Sequence, residues 1–152
     1  MPAQKPGQSF QSYGTPWALI HAIEKRFGAF SVDLAASREN KKAPLFISEE
    51  RNSLIQPWHT LTGLLWLNPP FAHLAPWAAK CAAEAELGAR IIMLTPASVG
   101  SNWFAEHCEG KARTLFIRPR IIYEGETTPY PKDCMLTLWG FGAPGYELWK
   151  WQ

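Results

Sequence analysis

Several absences narrow the reading of this 152-residue chain before any motif is considered. Cysteine is scarce: Cys81, Cys108 and Cys134 are odd in number, widely spaced and form no C-x-x-C pair. That excludes a disulfide framework of the secreted kind and suits a reducing compartment. His21, His59, His73 and His107 show no metal-ligand spacing, so no metal is expected. No run approaches the ~18 consecutive apolar residues of a membrane span. The opening MPAQKPGQSF has no apolar core of the kind a signal peptide carries. Internal repeats and low-complexity tracts are missing too. Together these point to a cytoplasmic protein with no membrane segment.

A hydrophobic content of 47% is too high for a disordered chain. The length suits one domain: a polar tail over residues 1–12 and a single domain over 13–152. TPWALIHAIEKRFG reads as a helix, with Thr15 as N-cap, Pro16 at the first helical position, one face formed by Ile20, Ile23 and Phe27, and Gly28 ending it. AFSVDL, LFIS, LLWLN and the continuous apolar ARIIMLTP read as strands. Between them HLAPWAAKCAAEAELG is an Ala-rich helix with Pro76 in its first turn and Gly88 as C-cap. SNWFAEHCEG is a shorter helix beginning at Ser101 or Asn102. RTLFIRP, RIIYEG and DCMLTLWGFG are strand-like, the last two separated by turn-rich residues. Strands alternating with helices predict an α/β fold: a mostly parallel twisted sheet, helices on both faces, and a C-terminal antiparallel hairpin made by the last two strands. Most of the eight Trp residues belong in its core.

LLWLNPPF ends a buried strand in an amide, two prolines and an aromatic ring. Pro69 and Pro70 stiffen the backbone and donate no hydrogen bonds. Asn-Pro also opens ordinary turns, so a tight strand exit and a rigid ligand-facing tip both fit. In parallel sheets ligands sit beyond the carboxyl ends of the strands, at the topological switch point. Asp33 and Asn68 fall at two such ends, and Thr95-Pro96 at a third.

Taken in order, YGTP (13–16), VDLAAS (32–37) and NPPF (68–71) resemble the motifs of S-adenosylmethionine-dependent amino-group methyltransferases. The resemblance is greatest to the phage-type adenine-N6 DNA methyltransferases, the phage Dam-like family, and runs from about Tyr13 to Gly142. NPPF after an apolar strand matches [DNS]-P-P-[YFW] and is the specific signal. It implies a Rossmann-like methyltransferase fold and an adenine-specific DNA methyltransferase using S-adenosylmethionine. In that family pattern the Asn68 side-chain oxygen and the Pro69 carbonyl accept the two amine protons, Pro70 holds the corner rigid, and Phe71 stacks on the flipped base. Thr15, Pro16 and Trp17 match the N-terminal cofactor motif, and Asp33, Ala35, Ala36 and Ser37 the first cofactor loop. Here the chain departs from the family's Gly-containing loop, because no glycine follows Asp33 until Gly63. EERNSL aligns Asn52 with an adenosine-contacting position, with Ser53 in place of the usual glycine.

A net charge of +2 names no partner, but Lys111, Arg113, Arg118 and Arg120 form an acid-free run. Arg118 and Arg120 alternate as if on one face of a strand; with Lys132 they are the candidate DNA contacts, phosphates being the target. No inserted target-recognition domain is apparent, and the sequence does not set the oligomeric state. N-P-P-[YF] also occurs in methyltransferases of protein glutamine and of RNA bases, and a degenerate binding protein without turnover is a third reading.

Overall fold

The computed structural model describes residues 13–152; the polar stretch 1–12 lies outside the described residues. Twelve segments follow in order. Helix α1 is Trp17–Phe27, strand β1 Phe30–Asp33 and strand β2 Leu45–Phe46. Two 3-10 turns, Glu49–Arg51 and Ser53–Ile55, lead to β3, Leu64–Leu67. Helix α2 (Ala75–Glu86), β4 (Arg90–Pro96), α3 (Asn102–His107), β5 (Arg113–Arg118), β6 (Cys134–Trp139) and β7 (Gly145–Lys150) complete the chain. The seven strands form one sheet in the order β2-β1-β3-β4-β6-β5-β7. Six run parallel, and β6 alone is reversed, antiparallel to β4 and to β5.

Period-2 alternation divides the sheet's side chains between two cores. Leu64 and Trp66 of β3 and Ile92 and Leu94 of β4 pack with Leu19, Ile20 and Ile23 of α1. Leu65 and Leu67, with Ile91 and Met93, point the other way, onto Ala78 and Cys81 of α2 and Phe104 of α3. Central strands covered on both faces must be apolar throughout, which is why LLWL and IIMLTP read as unbroken runs. Each fully buried aliphatic side chain here contributes roughly 1.5–3 kcal/mol. Trp58, Trp66 and Trp139 are fully buried.

Four expectations need correction. Thr15 is not the N-cap of α1; Pro16 takes that position, with no side-chain cap, and its carbonyl accepts from Leu19 N at 3.0 Å. The C-cap of α2 is Leu87, and Gly88 follows it with φ 109°, the conformation a glycine after a helix supplies. RIIYEG is not a strand. Ile121 and Tyr123 are buried against the α1 side of the core without pairing in the sheet, so their alternation reflects burial alone. The antiparallel hairpin is present, but its first arm is β5, in register from Arg113↔Leu138 to Ile117↔Cys134. Strand β7 was not legible. GYELWK sits at the sheet edge with Tyr146, Leu148 and Lys150 exposed on one side, so it lacks the apolar run of its neighbours. Among the described residues no helix is long and apolar enough to cross a membrane. Cys81, Cys108 and Cys134 are free and buried.

Candidate active site at the carboxyl ends of the central strands

From β1 the chain passes to β2 on one side and then to β3 on the other, so the switch point lies between β1 and β3. Asp33 closes β1 and Asn68 follows β3; Asp33 stands opposite Trp66, and Leu34 N donates to Trp66 O at 2.8 Å. The pocket at this point is lined by Asp33, Ala35, Asn40, Lys42, Trp66 and Asn68, with Tyr13, Gly14 and Thr15 across from them. Its volume is about 240 Å³, counting the part open to solvent. The space within it that a water-sized sphere can enter is about 10 Å³, far below the ~300–1,000 Å³ usual for small-molecule sites.

The amide of Asn68 is oriented by its partners. Its Nδ2 donates to the Tyr13 carbonyl at 3.0 Å and to Thr15 Oγ1 at 3.1 Å. A carbonyl can only accept, so the NH₂ end must face Tyr13 and Oδ1 must face away. Among the described residues neither Asn68 Oδ1 nor the Pro69 carbonyl accepts a hydrogen bond. Two adjacent acceptors are thus left unused at a corner stiffened by Pro69 and Pro70. Thr15, 1% exposed, is held for this contact rather than for capping α1. Phe71 is half-buried, edge-on to Tyr130 at 6.1 Å between ring centroids.

Asp33 is 2% exposed. Its Oδ1 accepts from Ala35 N at 3.2 Å and Oδ2 from Lys42 N at 2.9 Å. Burial pushes its carboxyl up to about 7, against the lowering effect of these two N–H donors and of the Lys42 charge. The loop after β1 is tightened without glycine. Ser37 N donates to Asn40 Oδ1 at 2.7 Å and Asn40 N to Ser37 Oγ at 3.2 Å, a reciprocal side-chain cap. Ala35 lines the pocket, whereas Ala36 is buried with its N–H on the Ile47 carbonyl.

Lys42, which lines the pocket, and Glu124, which pairs with it, were not singled out in the sequence. Lys42, 6% exposed, sends Nζ to Glu124 Oε1 at 2.6 Å and lies 4.5 Å from the Trp17 ring centroid. Glu124 comes from the connection between β5 and β6, and its N–H donates to the Gly14 carbonyl at 2.9 Å. A Cβ on Gly14 would collide with Glu124 Oε1, so a larger residue there would have to displace the carboxylate from its present position. The Lys42–Glu124 contact spans 82 positions, which no local pattern reveals.

Other singled-out residues stand apart from this pocket. Trp17 is 44% exposed and meets the site through Lys42. Asn52 is exposed and joins the two 3-10 turns with φ 50°, a left-handed position that Asn tolerates. Arg118 ends β5, but Arg120 lies beyond it and pairs with Asp133 at 2.9 Å, so the two do not share a strand face. Lys132 is exposed in the β5–β6 connection. No cluster of His, Cys, Asp or Glu among the described residues is placed to hold a metal ion.

A family model described as DNA N-6-adenine-methyltransferase (Dam) matches residues 4–133. The chain belongs to the Dam family. It is similar to the DNA N-6-adenine-methyltransferase of Escherichia phage T1, at 31% identity over 126 residues. That alignment covers 83% of this chain and 52% of the phage protein, so the chain spans about half the length of this relative. The Dam-family match takes in Thr15, Asp33, Asn68–Phe71 and Glu124 and ends before β6 and β7 begin.

Proposed function

We propose that this chain transfers a methyl group from S-adenosylmethionine to the N6 amine of adenine in DNA, at the corner formed by Asn68, Pro69, Pro70 and Phe71. On this reading residues 13–152 are one Rossmann-like methyltransferase domain that works in the cytoplasm. Family membership and the phage T1 relative support the reaction class, and the two unused oxygens beside the switch point support its placement. When bound, S-adenosylmethionine supplies a methyl group activated on a sulfonium centre. The residues present suit such a cationic ligand: a buried carboxylate at Asp33, the small Ala35, and a polar rim made by Thr15 and Asn40. Pro16, Trp17, Ala36, Ser37 and Asn52 complete the cofactor set by resemblance, with Arg118, Arg120 and Lys132 as the DNA contacts.

The chain's own part is positioning. An adenine amine is a weak nucleophile because its lone pair is delocalised into the ring. Asn68 Oδ1 and the Pro69 carbonyl accept its two hydrogens, which draws the nitrogen toward tetrahedral geometry and frees the lone pair. Phe71 holds the base face after it leaves the duplex. Fixed acceptors need no reorganisation during the reaction, and that preorganisation is the source of rate.

The free Asn68 oxygen carries this assignment, and Asn68→Ala tests it. Transfer of labelled methyl groups to DNA should fall at least about 100-fold. Loss of the bonds to Tyr13 and Thr15 should also cost roughly 1–2 kcal/mol of stability. DNA, RNA and protein are offered in parallel. Activity retained by the variant overturns the role of Asn68; label found only in RNA or protein overturns the substrate. Cofactor binding with no transfer to any acceptor identifies a binding protein instead.

A further inference from the structure

Strand β7 lies beyond the residues matched by the family model, and it completes a basic cradle. It pairs parallel to β5 with Lys150 opposite Arg118. Opposed residues in a parallel pair project from the same face. With Pro119 and Gln152 these two cations line an open pocket of about 300 Å³. Both side chains are exposed, and neither forms a salt bridge among the described residues. Arg26 and Arg113, away from this edge, are instead engaged by Glu147, and Arg120 by Asp133. The backbone beneath is fixed: Trp151 donates from N to Arg118 O at 3.0 Å and from Nε1 to Pro119 O at 2.9 Å. Tyr146 and Leu148, on the same face of β7, are 60% and 74% exposed, so among the described residues nothing covers the approach to Lys150.

The cradle sits at the carboxyl edge of the sheet, the edge that carries Asp33 and Asn68. It is three strands from β3 at Arg118 and four at Lys150. The register sets Asn68 level with Leu115 and Glu147, so Arg118 and Lys150 also lie three residues further along their strands. At ~4.8 Å per strand and ~3.3 Å per residue that places the cradle roughly 18–22 Å from Asn68. Two cations one strand spacing apart can converge on a single compact anion, and the guanidinium adds a bidentate fork.

We propose that Arg118 and Lys150 together grip one backbone phosphate of the DNA whose adenine is presented to Asn68. At ~3.4 Å of rise per nucleotide, that phosphate lies about five to six nucleotides from the target base. This rests on the DNA-methylating reading and deepens it, since Lys150 adds a contact outside the family-matched residues.

The experiment measures binding of a labelled 20-base-pair duplex by fluorescence anisotropy across a salt series. It compares the wild-type chain, Arg118→Gln, Lys150→Gln, the double variant and Lys25→Gln, an exposed cation in the last turn of α1. Thermal midpoints confirm that each variant is folded. Each cradle variant should bind several-fold more weakly. The double variant should lose about 0.9 from the slope of log affinity against log salt, the value for one phosphate. Its affinity loss should be smaller than the two single losses combined. Lys25→Gln should match the wild type. An unchanged slope in the double variant, or a loss of about 1.8 with additive single effects, overturns the shared cradle. A wild-type chain that methylates and binds DNA while Lys150→Gln is indistinguishable from it sinks the cradle alone. A wild-type chain with no salt-dependent DNA binding sinks both readings.

Discussion

Sealed from water at the end of β1, the Asp33 carboxyl has a proton affinity quite unlike that of an aspartate in an unfolded chain. Desolvation by burial raises its pKa to about 7 from an ordinary value of 3.8. Between these two values the folded state holds a proton that the unfolded state has released, so stability falls as pH rises through that window. At about 1.4 kcal/mol per tenfold change in proton affinity, the loss between pH 4 and pH 8 is up to about 4 kcal/mol. Asn at this position does not titrate. Urea unfolding of wild type and Asp33→Asn across that range should show the wild type losing stability relative to the variant as pH rises; parallel profiles would remove the buried-carboxyl account. On the proposed reading a cationic ligand favours the ionised form, so its affinity should drop as pH falls below about 7. At this scale Asn68 was legible because its motif is contiguous. The orientation of its amide was not, because that depends on a carbonyl 55 positions away.

The connection between β5 and β6 is the element whose role the sequence conveyed least. Its apolar residues looked like a strand because Ile121 and Tyr123 are buried, yet it works as an arm that carries Glu124 to Lys42 and Gly14. The Lys42 side chain is 5% exposed and that of Glu124 is 43%. Removing the carboxylate leaves an ammonium group almost wholly out of water, beside the Trp17 face and within reach of the Asp33 carboxyl. A fully buried pair broken in this way costs about 3–5 kcal/mol, and partial solvent access to Glu124 lowers the expectation to about 1–3 kcal/mol. Glu124→Gln should destabilise by that amount in the native background and by much less beside Lys42→Met. A double-mutant cycle reads the difference; a coupling near zero would mean that solvent already satisfies Lys42. The central elements were legible for the opposite reason. β3 and β4 are covered on both faces and α1 on one, so burial wrote their periods directly into the chain. β7 has one open face at a sheet edge and wrote a weaker pattern.

For the molecule as a whole, the question is whether the two cores flanking the sheet open together. Three thiols report on them separately. Cys81 in α2 and Cys108 after α3 lie in the core on one face, and Cys134 at the start of β6 lies in the core on the other. Burial raises the pKa of all three, to about 12 for Cys108 and Cys134, so near neutral pH they are protonated as well as enclosed. A thiol-specific reagent needs both access and thiolate. In the native state all three should therefore resist labelling, while denaturant exposes them at once. If residues 13–152 act as one cooperative domain, the three should label at a common rate set by global opening. Mass spectrometry of the partly labelled chain distinguishes the cases. Faster labelling of Cys134 alone would show that the β5–β6 arm and the α1-side core come apart while α2 and α3 stay packed. Because the arm that carries Glu124 leads directly into β6 at Cys134, Glu124→Gln should then accelerate Cys134 further and leave Cys81 unchanged.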